Sequence, residues 1–196
     1  MFTGIVAAVG TVLSVDATAT GRKLVIAEPR LLSDMAVGDS VAVNGVCLTA
    51  VETGDGTVSV EVVQESLDRS NLGGIEAGSR IDLERPMPAN GRFDGHIVQG
   101  HVDGVGTVAA ITPEGEAERI RISLPRDLVR YVVEKGSITI DGVSLTVTAV
   151  GDEPWFEVVL IPHTLEVTVL GERSVGDQVN LEMDVLAKYV ERLMAK

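Results

Sequence analysis

The chain has 196 residues, 45% of them hydrophobic and 23% charged, with 29 acidic against 16 basic side chains and a formal net charge of −13. That length fits one large domain or two small ones of roughly 100–200 residues, and the acidity argues against nucleic acid, which demands a basic footprint. No apolar run approaches the about 18–20 residues of a membrane span, residues 1–10 lack the charged start of a secretion signal, and the single cysteine, Cys47, cannot form an internal disulfide. A cytoplasmic protein that engages no membrane is therefore expected.

Aromatic residues make up only 3% of the chain, so β-branched strands should supply much of the core. In chain order, TGIVAAVGTV (3–12) leads into a first strand, and RLLSDM (30–35) is the first expected short helix. SVAV-NG-VCLTAV (40–51) is two β-branched runs around Asn-Gly, a strong hairpin signal because both residues tolerate positive φ. TGDG (53–56) turns into TVSVEVV, and EAGSRIDLE (76–84) opens a further strand. A Pro/Gly-rich stretch, RPMPANGRFDG (85–95), then interrupts the pattern.

Beyond it the phrases return. QGHVDGVGTV (99–108) lies on TGIVAAVGTV with Gly100 on Gly4 and Val102 on Val6. PRDLVRYVV (125–133) is the counterpart short helix, and SITI-DG-VSLTVTAV (137–150) repeats the hairpin with Ser144 in the place of Cys47. TLEVTVLGERSVGDQVNLE (164–182) lies on SLDRSNLGGIEAGSRIDLE (66–84). Three ordered blocks at nearly one offset mark an internal duplication. Half a dozen short strands per copy suggest small closed barrels, over residues 1–90 and 91–184, an all-β chain. The tail, 185–196, places Leu186, Tyr189, Val190, Leu193 and Met194 on one helical stripe, to be covered by the second barrel or by neighbouring subunits.

Side chains alternate across a strand. Val46, Leu48 and Ala50 should point one way and Cys47, Thr49 and Val51 the other; Val143, Leu145 and Val147 oppose Ser144, Thr146 and Thr148. Each copy thus presents the same small polar pair after the same turn. His96 and His101 follow in DGHIVQGHVDG. Histidines in such linkers are ordinarily solvated, but His101 falls on Ile5 of the first copy, an asymmetry that catalysis would use because imidazole titrates near neutrality. His-x4-His with one distant cysteine matches no zinc spacing, no loop has the calcium pattern, and there is no P-loop or dinucleotide fingerprint. No metal and no cofactor is expected.

MFTGIV, NGVCLT, NGRFDGHIVQGHVDG, KGSITIDGVSLTV and LIPHTL together resemble riboflavin synthase of the α-chain type, from Met1 to the C-terminal helix. The resemblance implies two six-stranded Greek-key barrels and a C-terminal helix, 185–196, that assembles a homotrimer. It implies dismutation of two molecules of 6,7-dimethyl-8-ribityllumazine to riboflavin and 5-amino-6-ribitylaminouracil, the reacting pair lying between one subunit's first barrel and its neighbour's second. Lumazine synthase is a candidate partner. In the first barrel the implied substrate contacts are Gly4, Ile5, Val6, Ser40, Cys47, Leu48 and Thr49, followed by Glu61, Val62, Val63, Gln64, Glu65 and Ser66. In the second they are Gly100, His101, Val102, Lys135, Ser144, Leu145 and Thr146, followed by Val159, Leu160, Ile161, Pro162, His163 and Thr164. Cys47, His101, Ser144, Thr146 and Asp184 match the family's sensitive positions, with Cys47 read as a polarising contact because an ordinary thiol is mostly protonated at neutral pH. Asp94 and Gln99 depart from a glycine and a serine common in the family, which touches loop geometry. A non-catalytic lumazine-binding antenna protein and a duplicated interaction module are the alternative readings.

Overall fold

The computed structural model describes residues 1–195. The first copy contains β1 (Ala8–Ala17), β2 (Gly21–Ala27), β3 (Ser40–Val43), β4 (Val46–Gly54), β5 (Thr57–Val63), helix α1 (Gln64–Arg69) and β6 (Arg80–Glu84). The second contains β7 (Gly104–Glu114), β8 (Ala117–Ser123), β9 (Ser137–Ile140), β10 (Val143–Val150), β11 (Trp155–Leu160), α2 (Pro162–Val167) and β12 (Gln178–Met183), before the C-terminal helix α3 (Val185–Met194). Lys196, the last residue of the expected tail helix, lies outside the described residues.

Both copies close into antiparallel six-stranded barrels with the same order, β1-β2-β5-β4-β3-β6 and β7-β8-β11-β10-β9-β12. Closure needs strands that bend, and each barrel bends them at matching bulges: Val12/Ser14 and Val108/Ala110, then Ala50/Glu52 and Val147/Ala149. The alternation reads as expected on β4, where Val46, Leu48 and Ala50 are buried while Thr49 and Val51 are exposed. Each barrel fills its interior with its own apolar cluster, Leu24, Ile26, Val41 and Ile81 in the first, Ile122, Ile138, Phe156 and Leu181 in the second.

The copies are not two beads on a string. Val102 packs against the first barrel's core and Val6 against the second's, so the segments leading into β7 and β1 cross over. Phe2 and Val98, equivalent in the repeat, pair antiparallel, with Phe2 N donating to Val98 O at 2.8 Å and Val98 N to Phe2 O at 3.2 Å. Phe2 is wholly buried there with Ala42 and Val98. These two straps meet on a local twofold axis.

The two short helices expected at 30–35 and 125–133 do not form. The first is a set of turns and the second only a 3-10 turn at Val129–Tyr131. Their apolar residues serve as plugs, with Leu32 and Leu128 buried in the two cores, so packing rather than helical period explains the pattern. The actual helices, α1 and α2, follow β5 and β11. In each, a hydroxyl at the end, Ser70 or Thr168, caps the next turn by accepting the N–H of Leu72 or Leu170 at 3.3 Å.

Helix α3 forms as expected, N-capped by Asp184, whose Oδ1 accepts Leu186 N at 2.9 Å. Lys188 pairs with Asp103 at 2.6 Å and Arg130 with Glu191 at 2.7 Å, tying the helix to the second barrel. Its apolar stripe faces outward: Leu193 is 84% and Met194 75% exposed. No helix among the described residues is long and apolar enough to cross a membrane.

Candidate active site

The Asn-Gly and Asp-Gly hairpins turn with positive φ at both residues, Asn44 and Gly45, then Asp141 and Gly142. They start β4 and β10 at the centre of the molecule, so Cys47 and Ser144 sit two residues from the local axis. Across each hairpin, Ala42 and Ser40 pair with Cys47 and Thr49, and Thr139 and Ser137 pair with Ser144 and Thr146. The two polar edges are built alike.

Each edge is completed by the strap of the other copy. Cys47 N donates to Gly100 O at 2.9 Å, and Ser144 N donates to Gly4 O at 2.7 Å. Both glycines have φ +78°, and a Cβ on either would stand 2.5 Å from Cys47 Cβ or 2.6 Å from Ser144 Cβ. No other residue allows that approach.

This regroups the residues expected from the sequence. Gly100, His101 and Val102 belong with Cys47, and Gly4, Ile5 and Val6 with Ser144, the reverse of their assignment by chain half. A cleft of about 420 Å³ is lined by Val46, Cys47, Glu65, Ser66, Arg69, Ser70, Gly100, His101, Val102 and Asp103. Arg69 and Asp103 were not anticipated. Their repeat mates, Val167 and Ala7, are apolar, so the two half-sites differ in charge.

At the other half-site the linker adds a histidine. His96 Nδ1 lies 2.7 Å from Ser144 Oγ, and His96 Nε2 lies 3.3 Å from Thr139 Oγ1. The expectation of a merely solvated linker histidine is therefore corrected: burial holds the His96 imidazole below its ordinary pKa, against the opposing pull of the Asp184 charge. A neutral imidazole offers one donor and one acceptor.

The remaining candidates divide by burial. Thr49 and Thr146 are exposed beside Cys47 and Ser144, and Leu145 is half-buried. Glu61, Val63, Gln64, Glu65, Ile161, Pro162 and His163 face outward, and Ser66, Val159 and Thr164 are half-buried. Val62, Leu160 and Leu48 point into the barrel cores, so their side chains pack there while their neighbours face out. Lys135 is exposed and holds a left-handed φ of +65°, where the first copy has Gly38. Asp184 contributes a helix cap and a charge near His96.

A buried polar network joins the barrels behind the hairpins. Asn44 Oδ1 accepts Asp82 N at 2.8 Å, and Asp141 Oδ1 accepts Asn180 N at 2.8 Å, so Asn and Asp exchange places between the copies. Asn180 Nδ2 donates to Asn44 O at 2.8 Å, and Asp82 Oδ1 accepts Val169 N at 2.9 Å. Arg173 pairs with Asp141 at 2.6 Å; its mate in the first copy is Ile75, and Asp82 Oδ2 has no partner among the described residues. Burial pushes the Asp82 carboxyl up to about 8, the nearby Asp141 charge adding to the shift. Among the described residues, no cluster of three or more His, Cys, Asp or Glu is placed to hold a metal ion.

Two interlocked barrels with duplicated polar edges define a tandem small-ligand-binding protein, and the Lumazine binding domain family matches it twice, over residues 3–86 and 99–184. Riboflavin synthase of Mycobacterium bovis is 53% identical over 197 residues, spanning 99% of this chain and 98% of that protein. The riboflavin synthases of Actinobacillus pleuropneumoniae and Bacillus subtilis are 45% and 39% identical, each over 100% of this chain and 91% of theirs. Crystal structures of LumP complexed with riboflavin and with 6,7-dimethyl-8-(1'-D-ribityl) lumazine superpose with TM-scores of 0.86 and 0.84 at 26% identity, covering 93% of this chain and 99% of LumP. The chain belongs to the riboflavin synthase family.

Proposed function

We propose that the protein converts two molecules of 6,7-dimethyl-8-ribityllumazine into riboflavin and 5-amino-6-ribitylaminouracil, a four-carbon unit passing from donor to acceptor. The two products together contain every atom of the two substrates, so the exchange is redox-balanced. The observation that carries this reading is the reciprocal pair of edges, Cys47 on Gly100 and Ser144 on Gly4: two copies of one docking surface suit two copies of one substrate. Holding two reactants in register can remove about 7–11 kcal/mol of barrier at the upper limit.

The edges differ where the roles of donor and acceptor must differ. Ser144 has a neutral imidazole at hydrogen-bond distance, and the donor's 7-methyl group must lose a proton. Ser144 with His96 is suited to receive or relay that proton. Cys47, beside the exposed His101 and the charged Arg69, acts as a contact and polarising group on the partner lumazine. Thr49 and Thr146 supply hydroxyls along the same edges, and Lys135 a cation. Asp184 acts at a distance, capping α3 and biasing His96.

The outward apolar stripe of α3 supports a homotrimer in which the first barrel of one subunit meets the second barrel of its neighbour. Incubating the purified protein with 6,7-dimethyl-8-ribityllumazine alone tests the activity. Riboflavin fluorescence should grow in with one uracil product per flavin. Tight binding without product favours a non-catalytic lumazine-binding protein, and absence of binding removes both readings.

A further inference from the structure

The last strand of each barrel carries a buried glutamate turned toward a strap. Glu182 on β12 accepts three successive backbone N–H groups, from Gln99 at 2.7 Å and from Gly100 and His101 at 3.0 Å. Glu84 on β6 accepts Thr3 N at 2.7 Å, Thr3 Oγ1 at 3.0 Å and Gly4 N at 3.0 Å. The left-handed glycine in each strap turns consecutive N–H groups to one side, a concavity suited to an anion. Hydrogen bonds to an ionised acceptor are roughly twice as strong as neutral ones, so each carboxylate is a firm anchor.

Those bonds stay within one repeat, but the next ones do not. The Gly100 carbonyl, on the strap that Glu182 holds, receives the amide of Cys47 in the first barrel. The Gly4 carbonyl, on the strap that Glu84 holds, receives the amide of Ser144 in the second. We propose that Glu84 and Glu182 are crossed positioning residues, each on one barrel and each setting the ligand edge of the other. Glu182 aligns the Cys47–His101 edge and Glu84 aligns the Ser144 edge, so neither half-site is complete without the opposite barrel. Only the kinetic arm of the test below rests on the proposed activity.

The test uses Glu182→Gln and Glu84→Gln in the full chain. Glutamine keeps the volume but sets an NH2 group against a backbone N–H. Because Cys47 is the only cysteine, its rate of reaction with a small aromatic disulfide reads one edge alone, whether or not the protein turns over. Glu182→Gln should change that rate about 5–10-fold, the equivalent of one lost hydrogen bond, and Glu84→Gln by less than about 2-fold. In turnover, both variants should lose kcat about tenfold with a smaller change in KM, the mark of misalignment rather than lost affinity. Equal effects of the two variants on Cys47, or a larger one from Glu84→Gln, would overturn the crossing. If the crossing holds in an unmodified protein that makes no riboflavin, the proposal stands and the activity falls. Should either variant fail to fold, amide exchange in the unmodified protein decides: slow, concerted exchange of Gly100, His101 and Cys47 supports the crossing, and loop-like exchange of Gly100 and His101 overturns it.

Discussion

Gly45 and Gly142 meet face to face at the centre of the molecule: a Cβ on Gly45 would lie 2.7 Å from Gly142 N, and one on Gly142 would lie 2.8 Å from Gly45 N. Both turns hold left-handed φ, +78° and +88°. The hairpins that present Cys47 and Ser144 are thus also the joint between the barrels.

Alanine at either position should therefore destabilise the fold twice over. The left-handed conformation alone costs about 1–2 kcal/mol for a residue with a side chain, and the backbone clash adds to it. Chemical denaturation of Gly45→Ala and Gly142→Ala should show a lowered midpoint, with loss of cooperativity between barrels. Unchanged midpoints would mean that the turns do not pack as described.

Asp82 gives a pH dependence of unusual sign. Its folded pKa, about 8, lies above that of an unfolded aspartate, so its contribution is full below the unfolded value and is lost as pH rises through about 8. Its repeat mate, Asn180, has the amide that Asp82 Oδ2 lacks, donating to the Asn44 carbonyl. Asp82→Asn should stabilise the protein by about 1–3 kcal/mol at pH 8 and progressively less toward pH 5. Urea melts across that range check both sign and slope.

The Ser144–His96 pair predicts where activity fails in acid. Because burial lowers the His96 pKa, the imidazole stays neutral through the ordinary histidine range, and kcat should fall only below the usual pH of about 6.5. Ser144→Ala should reduce kcat about 100-fold, the lower end for general acid–base assistance. His96→Ala should reduce it comparably and remove the acid limb from the pH–rate profile.

Lys135 trades stability for a charge. Its left-handed φ of +65° sits where the first copy uses Gly38. Replacing it with glycine relieves about 1–2 kcal/mol of backbone strain and returns about 0.5–1 kcal/mol of that as unfolded-state entropy. Lys135→Gly should raise thermal stability slightly while weakening lumazine binding, seen as a higher KM. Stabilisation with unchanged KM would mean that the lysine makes no substrate contact.

The α3 stripe predicts assembly. Leu193, Tyr189 and Val190 are 84%, 64% and 54% exposed in the single chain. Substituting Leu193 and Val190 with glutamate should shift sedimentation toward a monomer and reduce activity in parallel, since each reacting pair is shared between subunits in the proposed trimer.

Much of this was readable in one dimension. Asn-Gly and Asp-Gly dictate their turns because few other pairs accept two positive φ values, and β-branched alternation dictates which side of β4 is buried. The duplicated phrases disclosed two like barrels and a like polar edge on each, Cys47 with Thr49 and Ser144 with Thr146. The short helices were misplaced because Leu32 and Leu128 carry a periodicity that serves burial, and a six-residue helix such as α1 has too few turns to advertise itself.

What no local pattern discloses is the crossing. Chain order places Gly4 with Cys47 and Gly100 with Ser144, and folding exchanges them, because the Phe2–Val98 pairing lays each strap across the opposite barrel. Periodicity and turn chemistry act over a few residues and so belong to the sequence. The exchange depends on contacts between residues far apart in the chain, where shape and hydrogen bonding across the twofold axis select the partner.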